Sequence, residues 1–180
     1  MGPMELAARI HAAAQLQGTF RLRSGRLATE YFDKYRFESD PVLLREIAEV
    51  AVGRIPAGTD GLAGLELGGV PIATALSLLS GLPLYFVRKE AKKYGTERLV
   101  EGGDVEGLRL LVVEDVTTSG GQIVMSVDDL RAAGAVVTDA LCVIDRESGA
   151  GAHLAASGIT LHALFTTSDL NASARVFRGT

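Results

Sequence analysis

Cysteine is nearly absent. Cys142 stands alone among 180 residues, so neither an intrachain disulfide nor a cysteine-built metal site can form. It lies in an apolar, strand-like run, where a buried and inert thiol is expected. Tryptophan is missing, and the three histidines, His11, His153 and His162, are scattered without the spacing of a metal site. No apolar run approaches the length of a membrane span. The N-terminus lacks the basic and apolar regions of a secretory leader, and Gly2-Pro3 ahead of Met4 reads as a cloning remnant. Basic charge is not in excess either: 18 Lys and Arg face 22 Asp and Glu, a net charge of −4, which counts against a nucleic-acid partner. Together these absences lead to the expectation of a soluble, cytoplasmic protein with neither membrane nor nucleic acid as partner.

What the sequence does contain suits one α/β domain. Hydrophobic residues make up 47% of it, and a chain of this length can bury roughly 70% of its unfolded surface. Helical periodicity runs over residues 4–15. Alternation at 19–26 and 31–37 predicts the two strands of a small antiparallel piece. Asp40-Pro41 joins an N-cap to a proline at the first helical position and opens a helix to about residue 54. Further on, strands are expected at 61–67, 84–87, 135–144 and 160–165, and helices at 70–79 and 150–157. Ser168-Asp169 would cap a last short helix. Strands and helices in alternation predict right-handed βαβ units and a mostly parallel central sheet flanked by helices. Residues 1–40 would form a small hood over the C-terminal edge of the sheet, where open α/β sheets bind ligands, with 41–180 as the core.

One stretch organises the rest. Leu110, Leu111, Val112 and Val113 read as a strand buried on both faces. Glu114 and Asp115 follow, then Val116, the small residues Thr117, Thr118, Ser119, Gly120 and Gly121, and an apolar-periodic segment from Ile123 to Leu130. Strand, acids, small-residue turn and helix make an anion site, because unpaired N–H groups and the helix dipole point at the ligand. Glu114 and Asp115 would repel that same phosphate. They suit sugar hydroxyls or a divalent cation beside it. A phosphate at one end and hydroxyls or a metal at the other suggest a sugar phosphate. The competing reading is an ordinary βα loop whose Thr and Ser merely cap the helix. No lysine follows the glycines, which counts out a Walker-type loop.

A second constellation is basic. From Arg88 to Arg98 five basic residues, Lys89, Lys92 and Lys93 among them, accompany two acidic ones. The polar span 88–107 that contains them is long for a compact domain, and a mobile basic loop there can close over an anionic ligand. A third is Glu66-Leu67-Gly68-Gly69-Val70-Pro71, a strand-to-helix turn whose Gly68 and Gly69 N–H groups can hold oxyanions or simply meet a need for positive φ.

The central stretch resembles the phosphoribosyl-diphosphate motif of the type I phosphoribosyltransferases. Arg-Lys-x-x-Lys-x-aromatic-Gly from Arg88 is similar to the catalytic loop of the orotate branch of that family, and Phe20 to Arg26 to its N-terminal signature. The resemblance implies the type I phosphoribosyltransferase fold and transfer of ribose 5-phosphate from phosphoribosyl diphosphate to orotate, in pyrimidine synthesis. It implies Mg²⁺ held mainly by substrate rather than by direct side-chain ligation, and a homodimer that shares the basic loop across its interface. By matching positions, Lys92 would be the main charge on the departing pyrophosphate, helped by Arg88, Lys89 and Lys93, with Gly68 and Gly69 as its loop. Thr117 to Gly121 would hold the 5′-phosphate; Glu114 and Asp115 the ribose hydroxyls. Arg23, Tyr31, Phe32 and Arg146 would orient orotate. The chain departs from the family at Tyr94, commonly histidine, at Arg23, usually lysine, and at Gly68, often lysine. Two alternatives compete: transfer to another nucleobase, and a phosphoribosyl-diphosphate-sensing regulator without catalysis.

Overall fold

A strand buried on both faces must lie inside a sheet, and the segment Arg109–Thr117 does so. The computed structural model describes residues 2–21, 24–90 and 99–178. In chain order the elements are α1 (Pro3–Ala14), β1 (Gln15–Arg21), β2 (Leu27–Phe32), α2 (Tyr35–Glu38), α3 (Pro41–Val52), β3 (Gly61–Leu65), α4 (Gly69–Ser80) and β4 (Leu84–Val87). There follow β5 (Val100–Glu101), β6 (Arg109–Thr117), α5 (Gly121–Ala132), β7 (Val136–Asp145), α6 (Ala150–Ala156), β8 (Thr160–Thr166) and α7 (Thr167–Arg178). Six strands form one sheet in the order β5-β4-β3-β6-β7-β8, and β1-β2 form a separate antiparallel pair. Within the large sheet only the β4–β5 pairing is antiparallel.

The two faces of β6 build two cores. Leu111 and Val113 pack with Leu6 and Ile10 of α1, Ile47 of α3, and Ile72 and Leu76 of α4. Leu110 and Val112 face Ile123, Val127 and Leu130 of α5 and Leu154 of α6. Strand order reverses between β3 and β6: the chain leaves β3 towards β4 on one side and returns with β6 on the other. Two loops therefore part at that point, on the edge where open sheets take ligands. Among the described residues no helix is long and apolar enough to cross a membrane.

The mostly parallel α/β sheet is borne out, with shifted boundaries. The strand expected at 19–26 is Gln15–Arg21, with an irregular register between Gln17 and Phe20. The alternation at 31–37 does not continue as strand: β2 ends at Phe32, Asp33 Oδ1 accepts from the Tyr35 N–H, and a helical turn follows. Glu114 and Asp115 lie within β6 rather than beyond it, Glu114 in register with Cys142 of β7. The two-residue β5 sits inside the polar span 88–107, too short to leave a periodicity. The cap of α7 is Thr166, not Ser168. Its Oγ1 accepts from the Asp169 N–H at 3.1 Å, and Asp169 Oδ2 accepts from the Thr166 N–H at 2.8 Å, a reciprocal capping box.

Asp40 caps α3 as expected, its Oδ1 accepting from the N–H groups of Val42 and Leu43 at 2.9 and 3.1 Å. Asp40→Ala should cost about 1 kcal/mol and lower Tm by roughly 2–4 °C. A thermal melt checks this, and an unchanged Tm would deny the cap its role.

Candidate active site

The loop after β6 presents mostly backbone at the entrance to α5. Thr117 is buried at the strand end, while Thr118 and Ser119 are exposed. Gly120 adopts φ 78°, a conformation that disfavours any side chain, and a Cβ there would also press within 3.2 Å of Leu154. It stands at the N-cap of α5 without a side-chain cap, so the first-turn N–H groups are left to a ligand. His153, given no role by its spacing, braces this loop from α6: its Nδ1 donates to the Ser119 carbonyl oxygen at 2.8 Å. A carbonyl only accepts, which fixes that nitrogen as the protonated one.

Behind this loop lies a cluster of acids. Asp115 has a fully buried side chain, its Oδ1 accepting from the Val116 N–H at 2.6 Å. Glu114 is buried too and accepts from the Asp115 N–H at 3.1 Å. Two residues at the ends of α2 complete the cluster. Lys34, just before α2, brings Nζ to 2.6 Å from Asp115 Oδ2, as an ion pair lying off a hydrogen-bond direction. Glu38, at the end of α2, is buried with neither oxygen met by a donor.

Protons resolve this crowding. Burial, then a hydrogen bond to Asp115, pushes Glu38 up to about 9. The same two causes push Glu114 up to about 8. Burial would raise Asp115 as well, but the protons shared from Glu38 and Glu114 and the Lys34 ammonium outweigh it and hold Asp115 below the usual carboxylate range. Burial opposes the charge on Lys34, and Asp115 more than restores it. One carboxylate thus stays charged between two protonated neighbours.

The turn after β3 abuts the same acid. The glycines there answer crowding rather than a positive φ: Gly68 has φ −66°, and Gly69 is not among the positive-φ residues. A Cβ on Gly68 would lie 1.7 Å from Asp115 Oδ2, and one on Gly69 would lie 2.2 Å from the Val113 carbonyl oxygen. Glu66 Oε2 accepts from the Lys89 N–H at 3.0 Å, tying this turn to the end of β4. Glu66, Leu67, Arg88 and Lys89 line an open groove of ≈ 360 Å³. Arg88 and Lys89 are thereby brought beside Gly68 and Gly69. Lys92, Lys93, Tyr94 and Arg23 lie outside the described residues.

At the end of β7, Arg146 donates its N–H to the Thr117 carbonyl oxygen at 2.9 Å, which sets it beside the β6–α5 loop. Its guanidinium lies 5.6 Å from the centre of the Phe32 ring. Among the described residues it makes no ion pair. The next residue, Glu147, has φ 57° and accepts through Oε2 from both the N–H and the hydroxyl of Ser168. Phe32, Arg146, Thr167 and Asn171 share a cavity of ≈ 60 Å³. The aromatic pair divides, because neighbours on a strand face opposite ways: Phe32 joins Arg146, whereas Tyr31 stacks on Phe20 at 5.5 Å and is half exposed. Cys142 is buried and unpaired, and burial pushes its thiol well up.

A loop with uncapped backbone N–H groups, a buried acid beside it, a glycine turn and an arginine–aromatic pair thus share the C-terminal edge of the sheet. The model of the phosphoribosyl transferase domain matches residues 36–164. A curated orotate phosphoribosyltransferase of Nocardioides sp. is 54% identical over 93% of this chain and 94% of its own length. The chain belongs to the orotate phosphoribosyltransferases. A family member from Methanocella arvoryzae is 43% identical over 85% of this chain and 87% of its own. The crystal structure of the Mycobacterium tuberculosis orotate phosphoribosyltransferase with 5-phospho-α-D-ribosyl 1-diphosphate superposes with a TM-score of 0.80. It is 28% identical, covering 94% of this chain and 98% of that one.

Nothing local marks Lys34, inside a stretch that alternates like a strand, or Glu38, just past its end, as site residues. The raised values of Glu38 and Glu114 have a measurable consequence for the orotate phosphoribosyltransferase fold. A carboxyl whose folded value exceeds its unfolded 4.5 holds a proton that the unfolded chain releases, so stability falls as pH rises from about 5 and the loss is complete above about 9. Without ligand, Tm should drop by a few degrees between about pH 6 and pH 9. Glu38→Gln should flatten that slope. A variant as steep as the parent would remove Glu38 from the account.

Proposed function

We propose that this chain transfers ribose 5-phosphate from phosphoribosyl diphosphate to N1 of orotate, releasing pyrophosphate and forming orotidine 5′-monophosphate for pyrimidine synthesis. The observation that carries the reading is the meeting of the β3 turn and Lys34 at Asp115, with Arg146 of the β7 end and Phe32 beside the neighbouring Thr117.

No protein nucleophile is needed. The C1–oxygen bond to diphosphate breaks, the ribose ring takes up positive charge, and orotate N1 forms the new bond as its N1–H proton passes to the departing pyrophosphate or to water. The protein contributes position and field. Thr117 to Gly121 hold the 5′-phosphate with backbone N–H groups and hydroxyls. Asp115, kept charged by its neighbours, takes ribose hydroxyls and favours the cationic ring; Glu114 supports it. Gly68 and Gly69 offer the diphosphate backbone N–H groups with no side chain in the way. Arg88 and Lys89 flank that turn, and Lys92 and Lys93, from the basic loop, neutralise the leaving group. Arg146 and Phe32 orient the base, the first at its polar edge and the second at its face. Arg23 joins Arg146 in that role.

Mg²⁺ fits this site as a passenger of the substrate. Asp115 is already met by the Lys34 ammonium and the Val116 N–H, and Glu114 holds its proton, so neither offers a free anionic oxygen to the ion. The diphosphate and water would therefore carry it, as is usual for this metal. When bound, Mg²⁺ supplies charge neutralisation on the leaving oxygens. The chain works as a cytoplasmic homodimer, each basic loop serving its neighbour's site.

The assay is loss of orotate absorbance with phosphoribosyl diphosphate and Mg²⁺, with adenine, hypoxanthine and uracil run in parallel. Orotate alone should be consumed; consumption of a purine instead, or of no base, would overturn the reading. Lys92→Ala should lower turnover by orders of magnitude with Tm unchanged. Arg146→Ala should raise KM for orotate at least about tenfold, the worth of one hydrogen bond to a charged group.

A further inference from the structure

The ion pair between Lys34 and Asp115 joins an open residue to a closed one. The Lys34 side chain keeps 34% of its exposure, while that of Asp115 keeps none. The ammonium therefore stands at the mouth of the site, and the carboxylate at its floor. It sits there among three carboxyl groups, those of Asp115, Glu114 and Glu38, and 5.3 Å from the centre of the Tyr35 ring. Asp115 Oδ2, the oxygen that Lys34 meets, is also the atom that a side chain at residue 68 would strike. Lys34 is thus within a few ångströms of a turn whose own residues, Gly68 and Gly69, bring no cation.

Resting on the proposed function, we infer that Lys34 is a further substrate-binding residue: it covers Asp115 in the free protein and passes to the diphosphate of phosphoribosyl diphosphate when ribose hydroxyls take the carboxylate. The exchange keeps both partners in contact with opposite charge or hydrogen-bond donors throughout. Ribose hydroxyls donate to the Asp115 oxygen that the ammonium vacates. The ammonium finds the diphosphate on the adjacent Gly68–Gly69 turn, and no buried charge is left alone at either stage. The cation of this subsite is delivered from the N-terminal segment that also supplies Phe32. One short segment then senses both substrates.

Lys34→Gln tests this, because glutamine removes the charge but can still donate a hydrogen bond to Asp115; Lys34→Arg restores the charge. Binding of phosphoribosyl diphosphate with Mg²⁺ is measured by calorimetry, and KM for both substrates by orotate absorbance, with Tm as a control. Lys34→Gln should weaken phosphoribosyl diphosphate, in Kd and KM alike, by at least about tenfold. KM for orotate should stay within about twofold, and Lys34→Arg should recover most of the loss. If the parent protein is active while a folded Lys34→Gln binds phosphoribosyl diphosphate normally, the inference is overturned and the proposed function stands. Equal loss for both substrates, unrelieved by arginine, also overturns it, since that pattern marks a structural lysine. If the parent protein neither binds phosphoribosyl diphosphate nor consumes a base, the proposed function fails and this inference with it.

Discussion

A carboxylate shut away from water sits at the end of the central strand, and much of the molecule is arranged to keep it ionised. Taking such a group out of solvent costs several kcal/mol unless partners replace the water. Asp115 has those partners: its neighbour's N–H group, the Lys34 ammonium, and two flanking acids that hold their own protons. The consequences spread outward. The N-terminal segment must be anchored where Lys34 can reach the strand end. Residues 68 and 69 must lack side chains, because the carboxylate and the strand backbone fill the space. A charged group rigidly set in a dry place is also what stabilises a cationic sugar at little cost in reorganisation.

The turn between β6 and α5, the central sheet and most helices were legible because each depends on local pattern. Four apolar residues in a row, two of them β-branched, favour an interior strand, and hydroxyls and glycines before a periodic segment favour a helix entrance. Asp40-Pro41 announces α3 by chemistry confined to four residues. Position along the chain was harder. Asp169 was rightly read as belonging to a cap, but Thr166 was hidden inside an apolar strand, and only the folded geometry shows the two exchanging hydrogen bonds.

What stayed illegible depends on distance. Lys34 and Glu38 look like ordinary surface charges, one inside an alternating stretch and one just past it, and nothing local marks them as partners of an acid far along the chain. The glycines of the β3–α4 turn were visible, yet their cause was not: a demand for positive φ and a lack of room give the same letter in the sequence. Tyr31 and Phe32 form one motif as text and two environments in space, since successive residues of a strand point to opposite faces. His153 carries its message through a backbone carbonyl, which no spacing of side chains records.

The short β5 strand fixes a length. Arg88 donates its N–H to the Leu99 carbonyl oxygen at 2.9 Å, and Val87 pairs with Val100, so the chain leaves and re-enters the sheet at one spot. The ten residues between form a tether fastened at both ends. Even fully drawn out, its midpoint at Lys93 and Tyr94 stands no further than roughly 20 Å from that knot. The positive charges of this stretch therefore fall within a sphere whose centre is set by two hydrogen-bonded strands and whose radius is set by residue count. Any active site they serve, in the same chain or a neighbouring one, has to lie inside it.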